Sequence, residues 1–585
     1  MTTRSRLAAI VLLLTFAALP AAAQEFGPGI LPADTSFYIY SRGTAHAETT
    51  YPNNPMIQSW NSPEFAQFRQ QGIDYLVRHG NWKVNGRPVK FTSADAEQIF
   101  SFLKGPMMIG YAGSIDFGAL AQPNAPSAKQ LLGTGGAFAI IDATGKTAQF
   151  DFLLKFVEAN LPKEITRTRS EFSGVSIEQF AGPNNTSFAT RVGNYFVWSN
   201  QQKVVQDLVS RLSSHAAPAN SLAQNAGYQH CQAKPDPDSI SEMYFRFPDF
   251  TKLPIPATPQ FDTAAAMSAL HLDSLKGFCA NFAITPQGEH SRMVVLGDTA
   301  AGGIFNLAGT NRPHFDSLSL APSSAFSYTA YALDINATYK LVRAVALAGL
   351  PAQQAAMVQM AEGMAGAQLG MSLADALALV SGEFAMIQLD PTAATPVPLF
   401  AVSISNSEKV SALIHKLGGD SIVEDSHENG VTIFKSKSAP PPADPHSKAS
   451  DAPPPNYVAL TPHFLLYGGD KESLLKAARM DSAGTTGGPS LADSPEIRDI
   501  RAALPRELLG LNIIDYTHHD WAADMTKALG DSEKSDTAKL SPEDIQFFET
   551  MKKFGATTIG KMLLRRSVSG WWKDADGIHY EGFSQ

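Results

Sequence analysis

The chain has 585 residues, 44% of them hydrophobic and 17% charged, and a formal net charge of −9. This is more sequence than one hydrophobic core serves, and it predicts about two to four globular domains, not a disordered chain. The acidic balance argues against nucleic acid as a partner and against electrostatic docking on anionic lipid, both of which need a basic face.

The first 23 residues read as an export signal. Arg4 and Arg6 give a positive start, Leu7 to Leu19 an apolar run, and Ala21 and Ala23 the small residues a signal peptidase recognises. The run falls short of the roughly 20 apolar residues needed to cross a bilayer. No cysteine follows it to take a lipid. The mature chain is expected to begin near Gln24 and to be periplasmic or secreted. The next most apolar stretch, Leu350 to Val380, carries Gln353, Gln354, Gln359, Glu362, Gln368 and Asp375. Such groups are unfavourable in lipid, so a soluble helix is expected there. The chain is then no integral membrane protein once the signal is cleaved. In an oxidising compartment the two cysteines, Cys231 and Cys279, are expected to form a disulfide; two alone make a poor zinc site.

Along the chain the same order of segments recurs. LPADTSFYIY (Leu31 to Tyr40) is echoed by LAPSSAFSYTAY (Leu320 to Tyr331), each a strand-like run after a proline. GGAFAIIDATGK (Gly135 to Lys146) is echoed by PLFAVSISNSEK (Pro398 to Lys409), each leading into an amphipathic helix, Phe150 to Leu161 and Val410 to Leu417. Asn194 to Val209 matches His463 to Ala478, and Ile240 to Phe250 matches Glu507 to Tyr516. A hairpin with Gly288 and His290 matches one with Gly577 and His579. Alternating strands such as ITRTRSEFSGVSIEQF favour antiparallel sheets with one wet face and helices on the other. The expected fold is α+β: two tandem, divergent copies of an antiparallel sheet with helices, spanning 24–315 and 316–585. A Pro-rich stretch, 437–456, is expected to be a disordered surface loop in the second copy.

The export signal, the LPADT opening strand and the repeated strand–helix pattern resemble an uncharacterised group of exported bacterial proteins, a domain of unknown function. The resemblance covers mainly residues 31–215, with an echo at 320–480 where Ala-Pro-Ser-Ser replaces Leu-Pro-Ala-Asp. It implies long α+β regions and carries no activity or catalytic residues.

Several strings imitate catalytic motifs and fail. Ala143 to Thr147 ends like a P-loop, but Ile140 stands where its leading glycine belongs. Gly133-Thr134-Gly135 has Phe138 where a dinucleotide fingerprint needs glycine. Ser101 with Lys104, and Ser473 with Lys476, have SxxK spacing without the elements that complete such a site. Helical spacing would set Asp515 beside His518 and His519, a face that could hold a divalent metal, although Asp515 also stands where it would cap a helix. Met357, Met360, Met364 and Met371 form a stripe suited to a core or to an apolar ligand.

No catalytic residue and no cofactor are therefore assigned. The expected role is an exported, non-catalytic binding or scaffold protein of the cell envelope acting on an unidentified partner or apolar ligand. The alternatives are a carrier of lipid or another apolar ligand, and a hydrolase with a non-contiguous active site.

Overall fold

The computed structural model describes residues 26–585 apart from 80–82, 85, 86, 89–91, 103, 116–134, 161–163, 184, 215–219, 232–238, 251–257, 259, 309–312, 390–397, 429, 437–456, 469, 470, 483–488, 519–540 and 555–565. The expected signal and the Pro-rich loop lie outside the described residues. The fold is mixed α and β, with antiparallel strand pairing throughout each of two compact units. Unit 1 comprises Met1–Pro254, Leu275–Gly297 and Asp520–Leu564; unit 2 comprises Ile255–Ser274, Asp298–His519 and Arg565–Gln585.

Among the described residues, the main sheet of unit 1 contains ten strands: β1 (Thr35–Ser41), β2 (Met107–Ala112), β3 (Gly136–Asp142), β4 (Thr166–Phe172), β5 (Val175–Ala181), β6 (Thr186–Val192), β7 (Tyr195–Ser199), β8 (Ser239–Arg246), β9 (Leu275–Ile284) and β10 (Glu289–Gly297), apart from a separate antiparallel pair, Lys83–Val84 with Arg87–Pro88. Their order across the sheet is β4-β5-β6-β7-β3-β2-β1-β8-β9-β10. Burial alternates along β3, residue by residue, as expected of a strand whose two faces meet different surroundings. Phe138 and Ile140 of β3, with Val197 and Ile177, join one core cluster that also holds Val205, Leu208 and Val209. The last three belong to an amphipathic helix whose apolar residues recur at i, i+3 and i+4. Each such side chain stabilises the fold by roughly 1.5–3 kcal/mol when fully buried. The opposite parity, Ile141 and Phe196, packs with Phe150 and Leu154 of a second helix in a smaller cluster.

In chain order the helices used here are α1 (Pro63–His79), α2 (Thr147–Asn160) and α3 (Gln202–Ser213). Thus α3 packs with one face of the sheet and α2 with the other. Away from the sheet, α1 packs against the helix Pro542–Phe554 through aromatic rings, Phe68 stacking on Phe554 with centroids 4.3 Å apart and Tyr75 on Phe547 at 4.7 Å. The Cys231–Cys279 disulfide ties the short helix Ala226–Cys231 to β9.

Unit 2 has strands β11 (Ser327–Leu333), β12 (Val380–Gln388), β13 (Leu399–Ile404), β14 (Ile422–Glu428), β15 (Val431–Ser436), β16 (Tyr457–Leu460), β17 (Phe464–Gly468), β18 (Gly510–Asp515), β19 (Arg566–Lys573) and β20 (Gly577–Ser584). They run β14-β15-β16-β17-β13-β12-β11-β18-β19-β20, the order of unit 1 with every label raised by ten. Small details recur too. Pro32 bridges Ser221 and Pro322 bridges Ser490; Leu222 N–H donates to Leu31 O and Leu491 N–H to Ala321 O, both at 2.9 Å.

The longest helices of unit 2 among the described residues are α4 (Ile335–Gly349), α5 (Ala352–Leu369), α6 (Ser407–Gly418) and α7 (Lys471–Ser482). The continuous helix expected over Leu350 to Val380 is interrupted. Gly370 caps α5 in the left-handed region at φ 73°, a conformation open to glycine and unfavourable for residues with a Cβ. A short helix Leu373–Ala378 follows, and β12 begins at Val380.

Candidate functional site

The hairpin β4–β5 turns at Ser173 and Gly174 and carries the sheet of unit 1 outward. Helix cover ends before its edge: β4 is exposed over Thr166 to Glu171. Between the flank of α2 and the adjoining strand face lies a cleft of about 340 Å³. Its apolar surface comes from Phe150 and Leu154 of α2 and from Ala189 and Phe196 of the sheet. Arg169, Glu178 and Arg191 are its charged lining residues, and Val175, Ser176 and Thr190 also border it. Strand register explains why these residues converge. Arg169 stands opposite Glu178, and Glu178 opposite Ala189. Arg191 stands opposite Phe196 in the next row. Residues two apart share a face, so both rows face α2.

The polar side of the cleft is asymmetric. Glu178 Oε1 accepts from Arg169 Nε at 2.8 Å and from Nη2 at 2.5 Å, while Oε2 accepts from Arg167 Nε at 3.0 Å. Partial burial works to raise the Glu178 pKa, but the bonds and charges of the two arginines outweigh it and hold the carboxyl below its usual range. Arg167 is shared further with Glu158 at 2.7 Å. Arg191 differs. Its Nε donates to Gly193 O at 2.9 Å and its guanidinium carbon lies 5.7 Å from the centre of the Phe150 ring. No carboxylate pairs with it among the described residues.

Each unit also sets an acid among hydroxyls, half-buried Glu242 in unit 1 and buried Glu383 in unit 2. In unit 1, Tyr38 and Tyr228 both donate to Glu242 Oε1, and the two phenols lie 3.1 Å apart. Burial, then the Glu242 charge, pushes the Tyr38 pKa well above its usual range. In unit 2, Tyr328 donates to Glu383 Oε1 at 3.1 Å, Ser317 donates to the same oxygen, and the two hydroxyls lie 2.8 Å apart. Burial raises the Glu383 pKa, and the bonds from Ser317 and Tyr328 offset part of that rise. The tyrosines occupy the same place on β1 and β11, but the acids arrive from opposite neighbours, β8 and β12. Donors that satisfy a buried acceptor fix strand register, the ordinary work of such a network.

The residues singled out from sequence fall elsewhere. Met357, Met360 and Met364 stand on α5 with 58%, 61% and 65% of their surface exposed. Met371 lies beyond that helix and packs against a separate apolar cluster around Val410 and Phe434. Asp515 ends β18 with both oxygens engaged. Oδ1 accepts from the Thr517 backbone at 2.9 Å and from its hydroxyl at 2.5 Å, and Oδ2 accepts from Arg566 Nε at 3.0 Å. His518 closes the 3-10 turn that follows, and its side chain and the whole of His519 lie outside the described residues. No group of three metal-ligating side chains occurs among the described residues. The cleft residues were missed because four strands and a helix, separated in sequence, each contribute a few of them. The available signal was the alternation Arg167, Arg169, Glu171 on one strand face opposite Glu178.

Fold and cleft together define an α+β protein with two antiparallel-sheet units, one carrying a small, partly apolar cleft. Over residues 136–417 the chain is similar to a family described as "Protein of unknown function (DUF3352)". That domain is found from the first residue of β3 to the last turn of α6. No curated protein and no solved structure matches the chain.

Proposed function

We propose that this is an exported, non-catalytic binding protein of the cell envelope that holds a small ligand in the cleft of unit 1. The observation that carries the reading is the cleft's chemistry: an apolar wall and a polar mouth whose ionisable groups, among the described residues, are Arg169, Glu178 and Arg191. Such a surface orients a ligand but offers no nucleophile paired with a base. The disulfide is compatible with a compartment outside the cytoplasm, and no helix among the described residues is long and apolar enough to cross a membrane. The shared strand order supports the reading of two divergent copies, 24–315 and 316–585 in the sequence, descended from one ancestor.

Native mass spectrometry of protein recovered from the periplasm, compared with the same sample after refolding from denaturant, tests the reading. An extra mass lost on refolding is expected. A bare mass, with identical hydrogen exchange over α2 and β4–β7 in both samples, would overturn it. N-terminal sequencing of the same material tests export, with Gln24 expected first.

A second reading, a carrier of lipid or another apolar ligand, is favoured by the exposure of Met357, Met360 and Met364. It predicts that replacing all three by glutamine abolishes lipid recovered by organic extraction. Unchanged lipid content would remove it.

A further inference from the structure

Resting on the binding reading above, we propose that the cleft of unit 1 selects a small aromatic carboxylate, with Arg191 recognising the charge. The volume, about 340 Å³, lies near the lower end of the range small-molecule sites occupy, roughly 300–1,000 Å³. It suits one or two fused rings. Phe150 and Phe196, with ring centroids 5.1 Å apart and planes tilted by 58°, present an edge and a face to such a ring, and Leu154 adds aliphatic contact.

Charge decides between an acid and a neutral ligand. Glu178 is shared by Arg167 and Arg169, so its negative charge is spent within the sheet. Arg191 keeps its guanidinium free of any carboxylate while Phe150 and the Gly193 carbonyl hold it in place. A guanidinium held in this way loses little freedom when a carboxylate docks on its remaining N–H groups, and its planar fork matches both carboxylate oxygens. On the same strand face, Glu171 stands opposite Ser176 and forms no ion pair or hydrogen bond with Arg191 among the described residues.

The test titrates 2-naphthoate and the neutral 2-naphthalenemethanol into the full-length protein by saturation-transfer NMR, in wild type, R191Q and R191K. Arg191 is exposed, and near-UV circular dichroism verifies that each variant keeps the wild-type fold. The acid is expected to bind wild type about tenfold more tightly than the alcohol, as befits one charge-assisted hydrogen-bonded pair at a partly solvated site. R191Q should remove that preference, bringing the acid and the alcohol to equal affinity, and R191K should retain part of it. Equal binding of acid and alcohol to wild type would overturn the selectivity and leave the binding reading standing. A preference that survives R191Q would overturn the role of Arg191. Binding of neither probe would overturn both the selectivity and the cleft as a ligand site.

Discussion

Opening the Cys231–Cys279 bridge should destabilise unit 1 more than any other change that removes no atoms. The bond closes a loop of 48 residues in sequence, and loop-closure entropy of that length corresponds to about 4 kcal/mol on the chain-entropy account. It also holds the helix that presents Tyr228 to Tyr38 and Glu242, so its loss frees one donor of a half-buried acceptor. At about 2.1 cal/mol/K of unfolding entropy per residue, a unit of more than 300 residues shifts its melting temperature by roughly 1.5 °C for each kcal/mol, so reduction should lower it by about 6 °C. Differential scanning calorimetry with and without a phosphine reductant measures the shift, and alkylation followed by mass analysis verifies that the bond has opened. A C231A/C279A variant should reproduce it with a further small loss from the cavities left by two buried sulfurs. A fully reduced protein melting within about 2 °C of the oxidised one would refute the reasoning, because the loop would then be closed as firmly by packing alone.

Other outcomes follow from single residues. Glu383 is 4% exposed and its pKa is raised by burial; its ionisation therefore opposes folding, and stability present below the unfolded pKa, about 4.3, is lost as pH rises through the folded value. E383Q, which keeps an oxygen for Ser317 and Tyr328, should gain on wild type from about pH 4 to pH 8 in urea titrations; a difference that is flat with pH would discard the idea. Asp515 runs the other way. Burial opposes its charge, but Thr517 and Arg566 prevail and lower its pKa, so its contribution is present above about pH 3.9 and lost as pH falls through the folded value. D515N should lower stability by about 1–3 kcal/mol near neutrality and by less in acid; equal loss at both pH values would contradict the ion pair. In β18, a Cβ on Gly510 would lie 1.9 Å from the Trp571 ring, so G510A must displace the indole and should cost about 1–3 kcal/mol. An unchanged denaturation midpoint would show that the ring moves freely.

Much of the fold was legible because it is written in local periodicity. Strands over Gly136–Asp142, Tyr195–Ser199 and Leu399–Ile404, and helices over Thr147–Asn160, Gln202–Ser213 and Ser407–Gly418, fall where alternation and helical spacing put them. The cysteine pair was legible from its number, since two cysteines admit one bridge. The interruption at Gly370 was less so. Its cause is one residue's preferred φ, while the polarity on either side reads as continuous helix.

The sequence alone determined the mixed α and β class of the fold, because that depends on neighbours in the chain, and the disulfide, because two cysteines admit one pairing. Tertiary structure decided which strands pair, which separated stretches of sequence build each unit, and where a cleft opens. Arg191 and Phe150 are 41 positions apart, and Glu178 meets Arg167 across a strand register that no spacing rule encodes. It also decided that Met357, Met360 and Met364 face solvent while Asp515 is held between Thr517 and Arg566. A stripe of one residue type states only that a face is uniform. What that face meets is settled by packing between distant segments, and that packing is a property of the whole folded unit.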